Sequence, residues 1–285
     1  MADTVEMQEI RGLDVDKAVK GFALASYTFK NECTVSTTSA DHVRWYQETS
    51  ADLTATAPAT IGNISPLSTF ATLEPSWIRQ TEYIQKYGVE AFISMEDIKS
   101  ADIDVLARTL LRLTRAVQKK VDTDIYDTIV GDSNIQGFSG SVYWSGSGGT
   151  VLYDILDAKR RIYDYHYNPQ GATLIIEQRV ERDIINWLVS HKGSNIPQLA
   201  SQQIQQGTVM NLAGVNIKTS PNANVRQALM IVPQQAVTWR QHTPITARVI
   251  DEPGIGSKVR VWELGLPTVT DPKAICLISG LNVNS

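Results

Sequence analysis

The sequence lacks the residues that build disulfide frameworks, metal tetrads and membrane spans. It has two cysteines, Cys33 and Cys276, which we expect to be small buried side chains of a protein made in a reducing compartment. No run of about 18 apolar residues occurs, so no membrane-spanning helix is predicted. The start of the chain has no basic-then-apolar signal segment. With a net charge of −4, the whole chain is not a strongly basic nucleic-acid binder, and such a role would need a local patch.

Common catalytic motifs are also missing. No Gly-x-x-x-x-Gly-Lys-Ser/Thr loop and no His-Glu-x-x-His occur, and no Gly-x-Gly-x-x-Gly follows a predicted strand. Residues 137–141 resemble a nucleophile elbow but end in Ser141, where the tight turn needs glycine. The histidines have no ligand spacing; they are His42, His166, His191 and His242. We therefore predict no catalytic residue, cofactor site, metal ligand or cofactor.

Charge is absent from one long stretch, residues 53–73. Loops without secondary structure rarely exceed about 12–15 residues unless they have a function. Pro58 and Pro66 exclude a continuous helix there. An arm laid across a neighbouring copy would need this composition, because its apolar groups would be buried on a second surface. The candidate intersubunit residues are Leu53, Ile61, Ile64, Leu67, Phe70 and Leu73.

A long amphipathic helix follows this stretch. Ser94 with Asp97 three positions later is a helix-start pattern. Apolar residues then recur at steps of three and four: Ile103, Leu106, Leu110, Leu113, Val117 and Val121. The pattern ends at Gly131, a common helix stop. The sequence therefore predicts a helix over about 100–130, a rod of about 45 Å at about 1.5 Å per residue.

The opposite side of this helix carries Arg108, Arg112, Arg115 and Lys119, which we call the cationic stripe. Their spacing places them on one face. Two interpretations stay open: a solvated helix side, or a surface that faces a polyanion such as DNA. The acidic residues at 122–124 are interpreted as a solvated face.

The second half of the chain predicts alternating helices and strands, which indicates a compact α/β unit. A Gly/Ser-rich segment at 134–149 is interpreted as a flexible connection and a domain boundary. The elements predicted after it are a helix capped by Thr150, a buried strand at 172–177, a helix at 179–191, strands at 213–219 and 227–232, a hairpin at 245–264 and a last strand at 273–279.

Five segments in this order resemble the major capsid protein family of tailed bacterial viruses, whose fold is shared by encapsulin shells. They are residues 79–88, 93–97, 108–113, 171–176 and 272–280. The resemblance implies an α+β fold and a shell subunit without catalytic activity. It implies an N-terminal arm at 1–44, an extended β-hairpin loop at 45–92, a peripheral domain at 93–149 and 239–268 with the spine helix 100–130, and an axial domain at 150–238 and 269–285.

The resemblance also implies partners. Copies would form hexamers and pentamers of an icosahedral virion capsid that matures from a procapsid, encloses double-stranded DNA and assembles in the host cytoplasm. Some family members crosslink through a lysine on the loop, but no lysine occurs between Lys30 and Lys86. Noncovalent contacts or a cement protein would then strengthen the shell. About 45 residues precede the loop, so we expect a separate scaffolding protein, alongside a portal protein.

Two other functions remain open at this stage. An encapsulin-like compartment would keep the fold and hold cargo protein instead of DNA. A soluble α/β enzyme would need a pocket with converging titratable groups, which the sequence does not indicate.

Overall fold

The computed structural model describes residues 27–48, 65–67, 77–100, 105–140, 142–144, 149–191 and 211–281, and it is a mixed α+β fold. The strands are β1 Thr34–Thr37, β2 His42–Glu48, β3 Trp77–Tyr83, β4 Gln85–Ser94, β5 Gln136–Ser139, β6 Thr173–Ile176, β7 Asn211–Leu212, β8 Val215–Thr219, β9 Gln227–Ile231, β10 Val237–Glu252, β11 Gly256–Val269 and β12 Ile275–Ser279. The helices are α1 Met95–Ser100, α2 Val105–Gly131, α3 Val151–Asp164 and α4 Gln178–His191. Short 3-10 turns lie at Lys30–Glu32 and Pro272–Ala274.

A four-stranded sheet in the order β1-β10-β11-β4 supports the long helix α2, which packs against β11 and β4. β10 and β11 form an antiparallel hairpin closed by a turn in which Gly254 has φ +79°, a conformation that glycine adopts easily. The hairpin extends from 237 to 269, well beyond the predicted 245–264. Pairing continues because the irregular register between Gln241 and Thr246 accommodates Pro244, which has no N–H to donate.

The second sheet is six-stranded and mixed, in the order β5-β12-β9-β6-β8-β7, and its buried residues belong to the same hydrophobic core as those of the first sheet. All four residues of β6 are buried, as the predicted buried strand requires. α3 packs on β12 through Val151, Ile155, Ala158 and Ile162, which recur at helical spacing and are fully buried. The alternating elements of the second half thus surround one sheet.

The segment predicted as a flexible connection at 134–149 is partly regular, so that prediction was wrong for its described residues. Residues 136–139 form β5, which pairs in parallel with β12. Trp144 is buried, and its indole N–H donates to Asp154 at 2.7 Å. The glycine and serine content of this segment does not predict a strand. The edge strand β5 forms because β12 pairs with it. Residues 141 and 145–148 lie outside the described residues.

The start of α1 and the end of α2 lie where the sequence predicts them. The hydroxyl of Ser94 accepts a hydrogen bond from the backbone N–H of Asp97 at 3.1 Å, so the predicted cap is confirmed. α2 ends at Gly131 as predicted. The described helix is divided into α1 and α2, and residues 101–104 between them lie outside the described residues. Thr150 precedes α3 as predicted, but its hydroxyl donates to Asp154 at 3.0 Å and makes no capping bond to the backbone.

Parts of the predicted arm and loop belong to the body of the subunit. Within the predicted arm 1–44, β1 pairs in parallel with β10, and Phe29 is buried in the core. Within the predicted loop 45–92, β4 pairs with β11 along its length. β-ladder bonds therefore fix both segments to the four-stranded sheet. The division into arm, loop, peripheral and axial domains stays a prediction.

Candidate functional site

The long helix α2 presents two faces with different chemistry. Its apolar face packs on the sheet, and the buried residues are Leu110, Leu113, Val117, Val121, Ile125 and Ile129. The four residues of the cationic stripe are all exposed, and none makes an ion pair with a residue in the described part of the chain. From Arg108 to Lys119 the stripe extends about 16 Å, at about 1.5 Å per residue. The stripe is a row of exposed positive charges on a helix, without ion pairs among the described residues.

Asp122 of α2 does not lie on the solvated face that the sequence suggested. Asp122 is buried, and its carboxylate accepts backbone N–H bonds from Thr28 at 2.7 Å and Lys30 at 3.2 Å. Burial raises the pKa of Asp122, and these backbone bonds oppose the rise. Only the fold brings residues 28–30 to the helix, so spacing within α2 could not have revealed this anchor.

Three side chains surround the same anchor and hold the N-terminal segment in place. Glu263 is fully buried and accepts hydrogen bonds from the Tyr27 hydroxyl, at 2.5 Å, and from the Lys30 ammonium. The Lys30 ammonium also lies 5.1 Å from the ring centre of Trp239. Burial and the charge of Glu263 raise the pKa of Tyr27. The opposite charges of Lys30 and Glu263 are paired in the interior, so the structural role of anchoring the N-terminal segment explains this cluster.

The base of the predicted extended loop is a two-stranded ribbon. β2 and β3 are antiparallel, in register from the pair His42 and Tyr83 to the pair Glu48 and Trp77. One side of the ribbon rests on the body, where the Trp45 indole donates to the carbonyl of Val269 at 3.1 Å. Buried Gln47 donates to Asp132 and accepts from Asn134 on the same side. These contacts hold the ribbon on the body of the subunit.

Most candidate intersubunit residues lie outside the described residues. These are Leu53, Ile61, Ile64, Phe70 and Leu73. Leu67 is described and fully exposed, with φ +70°. Their contact with a neighbouring copy stays a prediction.

The described residues offer little to a catalytic interpretation. Among them, no group of three or more His, Cys, Asp and Glu side chains could hold a metal ion. Ser139, the centre of the elbow-like sequence, lies in strand β5. A cavity of about 740 Å³ contains Lys30 and Cys33, but burial raises the pKa of the Cys33 thiol, which keeps it from acting as a thiolate. Burial likewise raises the pKa of Cys276 to about 12.

Membrane insertion through a helix is not indicated either. Over the part of the chain that the structure describes, no helix combines the length and apolar character that crossing a bilayer requires.

Known proteins match the chain in family and in fold. The family model described as phage capsid protein matches residues 79–278, which include the long helix α2 and strands β4 to β11. No curated protein gives a significant match.

Three solved structures illustrate the similarity of fold. The virus-like particle from Pyrococcus furiosus has 10% identity and a TM-score of 0.64, and the match covers 94% of this chain and 99% of that one. The capsid of Cyanophage P-SCSP1u has 12% identity and a TM-score of 0.65, covering 90% and 89%. Mycobacterium phage Che8 has 16% identity and a TM-score of 0.62, covering 90% and 93%. At such low sequence identity, these matches show only that the fold is shared.

Proposed function

This chain belongs to the phage capsid protein family and has the shell-forming role of a major capsid protein, and we propose that its copies form hexamers and pentamers of an icosahedral shell around double-stranded DNA. The family match over residues 79–278 is the observation that carries this proposal. The match includes the long helix α2 and strands β4 to β11, so it contains most of the elements that build the subunit. The role is structural, and its place is the virion capsid.

The finer features of the proposal follow from the sequence and from the ribbon geometry. The uncharged stretch 53–73 lies in sequence between β2 and β3, and a neighbouring copy supplies the surface that buries its apolar groups. Obligate interfaces commonly bury about 2,000–5,000 Å², which such an arm helps to reach. Assembly takes place in the host cytoplasm. The partners are a separate scaffolding protein, a portal protein and, where the shell needs it, a cement protein.

The alternative of an encapsulin-like compartment rests on the shared fold. The Pyrococcus furiosus virus-like particle and the cyanophage capsid have nearly equal TM-scores to this chain, 0.64 and 0.65, so fold similarity does not separate the two. The phage capsid family match favours the capsid. Purified shells would distinguish the two functions, because a compartment would carry cargo protein and no packaged genome.

The assembly proposal is tested by size-exclusion chromatography of the purified full-length chain. A shell protein elutes as capsomers or as particles of megadalton mass, because its interfaces are filled by further copies. Elution only as a small closed oligomer, at every concentration and salt, would contradict the proposal.

The cationic stripe is proposed to face the packaged DNA from the inner side of the shell. Its four positive charges are exposed and free of ion pairs within the described residues. Local cations can bind phosphate by releasing counterions even when the net charge of the protein is negative. Repetition over many copies multiplies a weak contact.

Replacing all four stripe residues with glutamine should leave shells forming but lower DNA retention and alter its salt dependence. The slope of log affinity against log salt should become shallower by about 0.9 for each lost phosphate contact. DNA content of gradient-purified particles over a salt series measures the effect. A matched control changes one lysine and three arginines outside the stripe that are exposed and make no ion pair with the described residues, Lys86, Arg179, Arg226 and Arg248, and it should keep the original slope. Equal DNA content and an equal salt slope in both variants would show that the stripe is only a solvated side of the helix.

A further inference from the structure

The outward side of the β2–β3 ribbon is rich in tyrosine and cationic side chains. Successive residues of a strand point to opposite faces, so His42, Arg44 and Tyr46 lie opposite to the side that contacts the body. From β3 this outward face receives Arg79 and Tyr83. Tyr46 is 58% exposed and Tyr83 is 74% exposed, which is more aromatic surface than a solvated ribbon requires. We call these five residues the ribbon face.

The two arginines of the ribbon face are not balanced by an ion pair within the described residues. Arg79 lies opposite Tyr46, and Arg44 lies opposite Thr81 two pairs along the ribbon, so the two arginines occupy neighbouring positions on the same face. Neither arginine makes an ion pair with any residue that the structure describes. Tyrosine and arginine are the residue types enriched at the energetic centres of protein interfaces. The composition of the ribbon face therefore favours a docking surface.

A groove of the opposite charge lies between the ribbon and the C-terminal half of α2. Two adjoining cavities of about 450 and 240 Å³ share Glu82, Asp127 and Thr128 in their walls. Asp124 and Asp132 add further carboxylates, and no lysine or arginine is among the lining residues. We call this feature the acidic groove.

Two carboxylates of the acidic groove are not paired within the described residues. Asp132 accepts from Gln47, and Asp124 pairs with Lys120 at 2.5 Å. Glu82 and Asp127 are exposed, and their carboxylates make no ion pair with the residues that the structure describes. The groove thus has free negative charge where the ribbon face has free positive charge.

We propose that the ribbon face of one copy docks on the acidic groove of a second copy, an inference that rests on the proposed shell-forming function. A chain cannot fill its own groove in this way, because Glu82 lies on the inner side of the ribbon while Arg44 and Arg79 lie on its outer side. A nucleic acid would satisfy the ribbon face but would be repelled by the groove. A second copy satisfies both patches at once.

The contact joins two different patches of the same chain and is therefore heterologous. Repeated head-to-tail, such a contact generates a ring when the rotation between copies closes. This is the geometry that a hexameric or pentameric capsomer requires. Charge complementarity across the contact would also select the correct neighbour and its orientation.

A charge-swap experiment on the full-length chain tests the docking. Arg44→Glu with Arg79→Glu reverses the ribbon face, and Glu82→Lys with Asp127→Lys reverses the groove. Each pair alone should lower the yield of megadalton particles by about tenfold, because like charges then meet across the contact. The four changes together should restore the yield to within about threefold of the unchanged protein, since the complementary charges are exchanged.

The control and the readouts separate the possible outcomes. Arg248→Glu reverses another exposed strand arginine and should assemble normally. Circular dichroism should show the same thermal midpoint for all variants. Full particle yield from either pair alone overturns the docking, as does loss from both pairs without rescue in the fourfold variant. Normal shells with less DNA after reversal of the ribbon face would assign that face to nucleic acid and also overturn it. If the unchanged protein forms no particles, the proposed function fails instead.

Discussion

Deleting residues 53–73 is expected to leave a folded subunit that cannot close shells. The ribbon remains paired up to Glu48 and Trp77, and the deletion leaves seven residues, 49–52 and 74–76, to connect these two ends. A connection of that length can join two antiparallel strands, so the subunit should keep its fold. The shell loses the apolar groups that the arm contributes to a neighbouring copy.

The deletion is measured by gradient sedimentation and electron microscopy, together with circular dichroism. We expect native-like ellipticity and a complete loss of closed particles. A variant in which 53–73 are replaced by a Gly/Ser linker of equal length separates chain length from side-chain chemistry, and it should fail in the same way. Normal particles from either variant would show that the arm does not contribute to the assembly interface.

Replacing Asp122 with alanine is expected to lower the free energy of unfolding by about 3 kcal/mol, because the backbone N–H groups of Thr28 and Lys30 would be left buried without an acceptor. Asp122→Asn keeps an acceptor oxygen and should cost about 1 kcal/mol. Urea unfolding of the unassembled protein measures both values. Equal stability of the alanine variant and the unchanged chain would contradict the anchoring role.

The pH dependence of stability gives a second readout for Asp122. Burial raises the pKa of this carboxyl in the folded state, so the folded protein takes up a proton at a higher pH than the unfolded chain does. Stability from this group therefore rises as pH falls from neutral through its folded pKa, and is lost as pH rises through that pKa. Asp122→Asn should remove this part of the slope at pH values above about 4, where an unfolded aspartate is ionised. An unchanged pH dependence of stability would show that titratable groups other than Asp122 cause it.

Local signals in the sequence predicted the elements whose ends are set by local chemistry. Ser94 begins α1 through a hydrogen bond to a residue three positions away, and Gly131 ends α2. The buried strand at 173–176 and the following helix appear where their apolar spacing indicated. The family resemblance and the α+β shell fold were confirmed by the match over residues 79–278 and by the capsid structures.

Features that depend on distant segments could not be predicted. Asp122 looked solvated because its partners, residues 28–30, are more than 90 positions away in sequence. β5 has the composition of a linker and becomes a strand because β12 pairs with it. The ribbon face and the acidic groove required the register of β2 and β3, which decides that Arg79 and Glu82 lie on opposite sides.

The central claim is that copies of this chain build a closed shell, and negative-stain electron microscopy of the purified full-length protein tests it most directly. The account predicts uniform, closed, polyhedral particles, with capsomers visible in the same field before closure. A field that contains only small compact oligomers, at concentrations where related capsid proteins assemble, would contradict it.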